Sequence, residues 1–217
     1  GKGKSITLLK PIRAVEMDKD FYLISGTPAD AFLIALELLR PKRPDLLVSG
    51  INMGPNIGLE DLFHSGTLGA AIQAVLHGVP AIAMSYAIGE GLPRPDDEQM
   101  RADLGVAARL ALRLASAVLS HGMPEGVDML SVNVPVGASL DRIVITEPLR
   151  TPFWAASRRG DGFIIRPWPG KKPSGPERTD VWAILNGYIS ITPISISLKH
   201  DLPSLEAFLK EAGVLGP

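Results

Sequence analysis

The strongest fold signal in the chain comes from two neighbouring segments, Asp45-Leu-Leu-Val-Ser-Gly-Ile-Asn-Met-Gly-Pro-Asn-Ile-Gly58 and Ser65-Gly-Thr-Leu-Gly-Ala-Ala71. The apolar run at residues 46–48 lies between an Asp and a Gly, which predicts a buried strand. The strand is expected to open at Gly50 into a loop rich in Gly and Asn. A helix is expected to begin at Ser65 or Thr67, because the apolar residues that follow recur at helical spacing.

This order of strand, loop and helix start predicts an anion site. Ligands of open α/β sheets bind beyond the carboxyl ends of strands, and free backbone N–H groups at a helix start attract anions. We interpret Ser65, Gly66 and Thr67 as residues that hold a phosphate, with the side-chain carbonyl of Asn52 facing a metal ion or the same phosphate. A purely structural role explains the same residues, since Ser and Thr cap helices and Gly and Asn form turns. The density of such residues after one strand favours the phosphate site.

The four histidines give a weaker signal. They are His64, His77, His121 and His200. None of them has a second histidine at a metal-ligand spacing such as His-x-x-x-His. His77 and His121 are expected at helix C-termini, where a cation favours the helix dipole. His64 directly precedes Ser65, so it is a candidate for contacting the phosphate or its leaving group, and geometry has to decide.

Composition excludes several classes of protein. The chain has 217 residues, 46% of them hydrophobic, so one large domain can bury a sizeable core. A formal net charge of −1 and the lack of a long basic run argue against a nucleic-acid partner. The sequence has no cysteine, which excludes disulfides and cysteine-bound zinc and is compatible with a cytoplasmic location. No apolar segment has the length of a membrane span.

The N-terminal residues Gly1-Lys-Gly-Lys-Ser5 resemble the end of a Walker A phosphate loop. We reject that interpretation, because such a loop needs a strand before it and a helix after it, and residues 6–9 are of β type. Two interpretations of Lys2 and Lys4 stay open: they lie near an anion, or they are solvated charges of a loop, which is the commoner case. The segment is unlike a signal peptide, and we expect the sequence to begin inside a domain.

Strand-like and helix-like segments alternate along the chain. Strands are expected over residues 5–17, 21–25, 78–85 and 129–134, and helices after Thr27 and over residues 98–120. Thr27 is the natural N-cap of its helix, and Asp30 completes a capping box, which explains Asp30 better than a metal site does. The alternation predicts an α/β fold with a Rossmann-like, mostly parallel sheet flanked by helices.

Composition changes after residue 136. We divide the chain into a Rossmann-like core over residues 1–136, whose first strand and helix are absent from the sequence, and a C-terminal, β-rich extension over residues 137–217. The extension is expected to contain strands at 139–149 and 187–193, a hairpin arm near 163–168 and a helix at 204–211. Such an arm is expected to pack against a partner subunit or to cover the site.

These segments resemble the SurE survival-protein family, which consists of metal-dependent nucleotidases that act on nucleoside monophosphates. The matching residues follow the family's order across nearly the whole chain, and besides the two central motifs they are Ser25-Gly-Thr-Pro-Ala-Asp30, Gly78-Val-Pro-Ala-Ile-Ala-Met-Ser85, Asn133-Val-Pro135 and Gly187-Tyr-Ile-Ser-Ile-Thr-Pro193. The resemblance implies a Rossmann-like fold whose C-terminal extension often exchanges between the subunits of a homodimer or homotetramer.

The resemblance also implies a divalent cation, such as Mg²⁺ or Mn²⁺, held by an Asp-Asp pair, a Ser and the Asn of the Ser-Gly-Ile-Asn motif. Only the last ligand falls on this sequence, at Asn52; the Ser would sit just before Gly1 and the acid pair farther upstream, so no catalytic residue is assigned. The expected phosphate- and substrate-binding residues are Asn56, Ser65, Gly66 and Thr67. One Asn oxygen does not satisfy a hard cation, so we expect poor turnover without the acid pair.

The residues and the resemblance together predict a phosphomonoesterase that hydrolyses nucleoside 5′- or 3′-monophosphates, with short polyphosphate as a further substrate. A second hypothesis is a non-catalytic nucleotide- or phosphate-binding module. A purely structural oligomer is the weakest hypothesis, because it leaves the Gly/Asn loop unexplained.

Overall fold

The computed structural model describes residues 3–168, 173–197 and 201–215, so that Lys2 and His200 lie outside the described residues. The strands are β1 (Ala14–Asp18), β2 (Phe21–Ile24), β3 (Leu47–Met53), β4 (Ala81–Tyr86), β5 (Met129–Val134), β6 (Ile143–Ile145), β7 (Trp154–Arg159), β8 (Gly162–Pro167) and β9 (Ile189–Ile194). The helices are α1 (Pro28–Leu38), α2 (Gly58–His64), α3 (Gly66–Leu76), α4 (Asp97–His121), α5 (Asp180–Leu185) and α6 (Leu202–Glu211).

Five strands form the central sheet in the order β3-β4-β5-β9-β6. The β3–β4, β4–β5 and β6–β9 pairs are parallel, and the β5–β9 pair is antiparallel. Two hairpins, β1–β2 and β7–β8, stand apart from this sheet. The predicted α/β fold with a mostly parallel sheet is therefore confirmed.

Helices cover both faces of the sheet, and the inner strand β4 is buried at every residue. On one face, α1 and α3 pack through Phe32, Leu68 and Ala71. On the other face, α4 packs through Ala107 and Leu110. Because a strand covered on both faces buries both sets of side chains, β4 is nearly continuous in apolar residues instead of alternating with polar ones.

The apolar run at residues 46–48 leads into strand β3, as predicted, but the prediction that this strand is buried is wrong. Val48 is 44% exposed and Met53 is 51% exposed, because within the described part of the chain β3 is at the edge of the sheet and has β4 as its one neighbour. The strand also continues to Met53, whereas the sequence predicts that it opens into a loop at Gly50. Asn52 therefore lies on the strand itself, opposite Ser85 of β4.

The N-terminal segment is less regular than the sequence predicts. Within the range 5–17 only the last part is strand, because β1 begins at Ala14. Thr7 instead lies against the start of α1, where its N–H and its hydroxyl both donate to the Asp30 carboxylate, at 2.8 and 2.7 Å. Asp30 also forms the predicted capping box with Thr27. The capping role of Asp30 is confirmed, and the same carboxylate holds the N-terminal segment in place.

Two further elements differ from their predictions, whereas a third agrees. Helix α2 stands where the sequence predicts only loop, and its last residue, His64, is followed by the residue that caps α3. Helix α4 matches the prediction of 98–120 to within one residue at each end. Strand β6 is only three residues long, although the sequence predicts a strand over 139–149.

The C-terminal region contributes both to the sheet and to its periphery. Strands β6 and β9 complete the central sheet, while the predicted arm is the separate hairpin β7–β8. Helix α6 has no buried residue in the structure. The division at residue 136 therefore stays a prediction. In the described ranges, no helix is both long enough and apolar enough to cross a membrane.

Candidate active site

Polar side chains form a row across the sheet near the carboxyl ends of its parallel strands. Asn52 of β3 lies opposite Ser85 of β4, and Ser85 lies opposite Asn133 of β5. Asn133 in turn lies opposite Ser190 of β9. Because residues directly opposite each other project from the same face of a sheet, these side chains share one face. The row lies at the edge of the sheet where ligands of α/β proteins bind.

Asn52 is oriented by a hydrogen bond within its own turn. Its side-chain Nδ2 donates to the Gly54 carbonyl oxygen at 2.9 Å. This contact uses the nitrogen of the amide, so the oxygen is the end suited to a cation. The arrangement agrees with the predicted role of Asn52 as a metal ligand, which stays a prediction.

Asn56 is buried and its polar groups are bonded to the sheet. Its N–H donates to Asn133 Oδ1 at 2.9 Å, and its carbonyl oxygen accepts from Asn133 Nδ2 at 3.0 Å. Its own Nδ2 donates to Ser85 Oγ at 2.6 Å. These contacts give Asn56 a structural role in the loop, and its predicted contact with substrate stays a prediction.

Ser65, Gly66 and Thr67 form the start of helix α3. Ser65 is the N-cap, and its Oγ accepts a hydrogen bond from the N–H of Leu68 at 3.1 Å. The N–H groups of Gly66 and Thr67 belong to the first turn, where a helix supplies no acceptor. These two N–H groups are the donors that the phosphate prediction requires, and the helix dipole adds to their attraction for an anion.

His64 ends helix α2 directly before this helix start. Its side chain is exposed, and its carbonyl oxygen accepts from the N–H of Gly3 at 2.8 Å. The neighbouring Lys4 passes beside the first turns of α3, close to Gly69. The backbones of His64 and Lys4 thus lie beside the first two turns of α3. The predicted contact of His64 with substrate remains a prediction.

Three buried or partly buried acids, which the sequence did not single out, hold the loop and the C-terminal region together. The N–H of Ile57 donates to Asp61 at 3.1 Å, and the N–H of Gly58 donates to Asp180 at 2.7 Å. Glu60 accepts from the backbone N–H groups of residues 153 and 154 at 2.6 and 3.0 Å. Their acidic character alone gave no signal, because the bonds from Glu60 and Asp61 to residues 153 and 154 and from Asp180 to Gly58 span 93 to 122 positions of the chain.

Burial changes the ionisation of two of these acids. It raises the pKa of Asp61 from 3.8 to about 6, although hydrogen bonds from Trp154 and Ile57 oppose part of the rise. Burial also raises the pKa of Asp180, against the lowering effect of hydrogen bonds from Gly58 and Leu149. The charge of Asp180 contributes to the raised pKa of Asp61, and that of His64 opposes it. The ionisation of Asp61 is therefore sensitive to pH near 6.

The described residues do not by themselves form a cation site. Within the ranges that the structure describes, no three His, Cys, Asp or Glu side chains come together in a way that could hold a metal ion. Asn52 offers one neutral oxygen, whereas Mg²⁺ and Mn²⁺ sites usually include carboxylates. The chemistry that these residues support is the binding of an anion at a helix start.

Comparison with known proteins identifies the family. A family model described as Survival protein SurE matches residues 1–154. The chain belongs to the SurE family. Every candidate site residue, from Asn52 to Thr67, lies within the matched range. The resemblance inferred from the motifs is therefore confirmed.

Several relatives of this SurE chain carry the name 5'-nucleotidase SurE. The protein from Methanothrix thermoacetophila is 39% identical over 207 residues, which cover 90% of this chain and 78% of that protein. The protein from Thermofilum pendens is 36% identical, and the match covers 96% of this chain and 82% of that protein. The protein from Methanothermobacter thermautotrophicus is 43% identical over 150 residues, which cover 67% of this chain and 57% of that protein.

A solved SurE structure shares the fold. The crystal structure of the SurE protein from Aquifex aeolicus is 30% identical in sequence and superposes with a TM-score of 0.74. The match covers 97% of this chain and 83% of that chain. The SurE-family architecture thus extends over both the predicted core and the C-terminal region.

Proposed function

We propose that this SurE-family chain is a nucleotidase, a phosphomonoesterase that converts nucleoside 5′- or 3′-monophosphates to nucleoside and phosphate. The names of its relatives support the reaction class. The observation that carries the proposal is the start of α3, which has two N–H donors in its first turn and belongs to a helix packed against β3. Short polyphosphate is proposed as a further substrate of the same site.

In this proposal the N–H groups of Gly66 and Thr67 bind the phosphate oxygens, with Ser65 holding the helix start in shape. His64, one residue before the cap, faces the phosphate or its leaving group. Asn56 keeps the loop in place through its bonds to the sheet. We also propose that a divalent cation, Mg²⁺ or Mn²⁺, is required and that Asn52 contributes one oxygen to it. The resemblance assigns the other ligands to an Asp-Asp pair and a Ser that have no counterpart in these 217 residues.

The direct test measures phosphate release by the full-length natural protein. AMP, GMP, 3′-AMP and short polyphosphate are each incubated with Mn²⁺ or Mg²⁺, and with EDTA as the control. Release from at least one nucleotide that EDTA abolishes supports both the reaction and the cation. Release that EDTA leaves unchanged contradicts the cation requirement alone. No release above a blank without protein, from any nucleotide in any metal condition, refutes the enzyme.

The second candidate is a non-catalytic nucleotide-binding module, which the same helix start supports. It predicts saturable binding of AMP, measured by calorimetry, together with no phosphate release in any of the metal conditions. A Ser65→Asp variant is useful here, because a carboxylate at the helix start should repel AMP whether or not the protein is an enzyme. Loss of binding in that variant would locate the nucleotide at α3.

We further propose that the chain forms a homodimer or homotetramer in the cytoplasm. Apolar side chains are exposed on the C-terminal elements, where Phe163 is 69%, Ile165 73% and Phe208 63% exposed. Large apolar patches are usually covered in a native assembly. Light scattering coupled to gel filtration measures the mass, and a monomer at micromolar concentration would contradict the assembly. Cell fractionation tests the location.

A further inference from the structure

The loop after β3 is held by a side chain from the sheet itself. Asn133 of β5 is fully buried, and its carboxamide forms two hydrogen bonds with the backbone of Asn56. We propose that Asn133 is a positioning residue for the nucleotidase reaction, which fixes the distance between Asn52 and the helix start at Ser65. This inference rests on the proposed function of the same site.

The chemistry of the contact is specific to a carboxamide. Asn133 Oδ1 accepts from the Asn56 N–H at 2.9 Å, and Asn133 Nδ2 donates to the Asn56 carbonyl oxygen at 3.0 Å. The carboxamide of Asn133 has one donor and one acceptor side by side, which match the N–H and the carbonyl oxygen of a single residue, Asn56. An ionised carboxylate at this place would present an acceptor to the Asn56 carbonyl, and an apolar side chain would leave both backbone groups unpaired in the interior.

At its start the loop is also bonded to the backbone of β4, because the Gly54 N–H donates to the Tyr86 carbonyl oxygen at 3.0 Å. Farther along the loop, Asn133 and Ser85 are the sheet side chains that bond Asn56, and through it they contribute to the position of the loop. The next two N–H groups along the chain, of Ile57 and Gly58, donate to Asp61 and Asp180, which belong to α2 and α5. Because the candidate ligand Asn52 lies on a sheet strand, the contacts of Asn133 and Ser85 also contribute to its position relative to α3. A displacement of about 1 Å in a catalytic site can reduce the rate by about 100-fold.

The principal test replaces Asn133 by Asp in the full-length protein and compares it with Asn186→Asp. Asn186 is an exposed Asn whose Nδ2 also bonds a backbone carbonyl, so it is a matched control away from the site. Asn133→Asp is expected to lower kcat for AMP by about 10- to 100-fold at pH 8, with a smaller change in KM. Asn186→Asp is expected to keep the wild-type kcat. Both variants are assayed well below their unfolding temperatures.

The pH dependence separates positioning from general destabilisation. A protonated carboxyl has one donor and one acceptor, as the amide does, and burial favours its protonated form. The kcat of Asn133→Asp relative to the wild type should therefore recover as the pH falls from 8 to 5. The titratable groups near the loop, Asp61, Asp180 and His64, are present in both proteins and cancel in this ratio. A ratio that stays constant with pH, or a kcat within about twofold of the wild type, would overturn the proposal.

A measurement without turnover keeps the inference distinct from the proposed function. Hydrogen exchange over residues 54–60 should be at least about 10-fold faster in Asn133→Asp than in the wild type, with β4 unchanged. If the wild-type protein releases no phosphate, the proposed function fails, and unchanged exchange would additionally refute the control of the loop by Asn133. If Asn133→Asp does not fold, Ser85→Ala takes its place. We expect faster exchange over the same residues and a smaller loss of kcat in that variant. The absence of both effects would count against the inference.

Discussion

The indole Nε1 of Trp154 donates a hydrogen bond to the Asp61 carboxylate at 2.9 Å, which joins the base of hairpin β7–β8 to helix α2. The adjacent Glu60 accepts from the backbone N–H groups of Phe153 and Trp154. Two neighbouring acids of one short helix thus hold the C-terminal region against the candidate site. A change in the ionisation of Asp61 should therefore act on stability and on the site together.

Stability should fall as the pH rises through about 6, because of Asp61. The pKa of Asp61 rises from 3.8 to about 6 on folding, so the folded protein binds this proton more tightly than the unfolded chain does. The stabilising effect of protonation is complete below about pH 4 and is lost as the pH rises through 6. The difference in pKa corresponds to about 3 kcal/mol. Urea unfolding at pH values from 4 to 8 measures it.

The comparison variant is Asp61→Asn, which cannot ionise. Its free energy of unfolding should lack the fall that the wild type shows between pH 4 and 7, although the loss of an acceptor for Trp154 or Ile57 lowers its stability at every pH. Asp161→Asn, on the exposed turn of hairpin β7–β8, serves as the control and should follow the wild-type curve. If Asp61→Asn has the same pH dependence as the wild type, the assignment to Asp61 is wrong.

Two substitutions at Ser65 separate its capping role from its place in the phosphate site. Ser65→Ala removes the bond to the Leu68 N–H and should lower the free energy of unfolding by about 1 kcal/mol. Ser65→Asp retains a good N-cap but adds a negative charge, so stability should change little while the Kd for AMP rises by at least about 10-fold. Calorimetry and urea unfolding measure the two effects.

The equivalent change at another cap controls for the general effect of a new carboxylate. Thr179 is the N-cap of α5, and its Oγ1 accepts from the Trp182 N–H at 3.2 Å. Thr179→Asp should leave the Kd for AMP unchanged. A Ser65→Asp protein that binds AMP as the wild type does would place the nucleotide elsewhere.

Replacing Gly69 by Ala should displace the N-terminal segment. A Cβ at Gly69 would lie 2.9 Å from Lys4 Cα and 3.1 Å from the Gly3 carbonyl oxygen, and both belong to the chain that crosses α3. The expected gain of about 1 kcal/mol from Gly to Ala in a helix should be outweighed by this clash. Limited trypsin digestion should cut after Lys4 faster in Gly69→Ala than in the wild type, and the unfolding temperature should fall.

Gly105→Ala provides the matched helix substitution. Its Cβ would approach only the flexible end of Arg109, at 3.5 Å, so the helix propensity gain should appear as higher stability. An unchanged or higher unfolding temperature for Gly69→Ala, with wild-type digestion, would show that the N-terminal segment is not held at this point.

The features that the sequence predicted well are those set by local chemistry. Thr27, Asp30 and Ser65 were identified as helix-start residues, because capping depends on residues within one turn of each other. The α/β fold followed from the alternation of strands and helices. The family resemblance followed from the motifs, whereas the site residues that it implies stay predictions, and one of them, Asn52, lies on strand β3 and not on the loop.

The features that the sequence missed depend on contacts between distant residues. Val48 is exposed because, among the described strands, β3 has a neighbour on one side only, and periodicity within a strand does not specify its place in the sheet. The bond of Gly58 to Asp180 joins residues 122 positions apart, and that of Asn56 to Asn133 joins residues 77 apart. Such pairings become visible only once the topology brings β5 and α5 beside the loop.

Asn52→Ala tests whether the exposed end of this amide binds a metal ion or the phosphate. The Asn52 side chain donates a hydrogen bond to the Gly54 carbonyl oxygen, two residues along the same turn. Loss of this bond should lower the free energy of unfolding by no more than about 1 kcal/mol. If Asn52 is a ligand, the Mn²⁺ concentration for half-maximal AMP hydrolysis should rise by at least about 10-fold. Replacing a residue that only orients a metal ligand already lowers metal affinity by about that factor. Asn186→Ala, which removes a similar bond to a backbone carbonyl, should change neither quantity. A higher KM for AMP at an unchanged Mn²⁺ requirement would instead assign Asn52 to the phosphate, and wild-type behaviour in both measurements would remove it from the site.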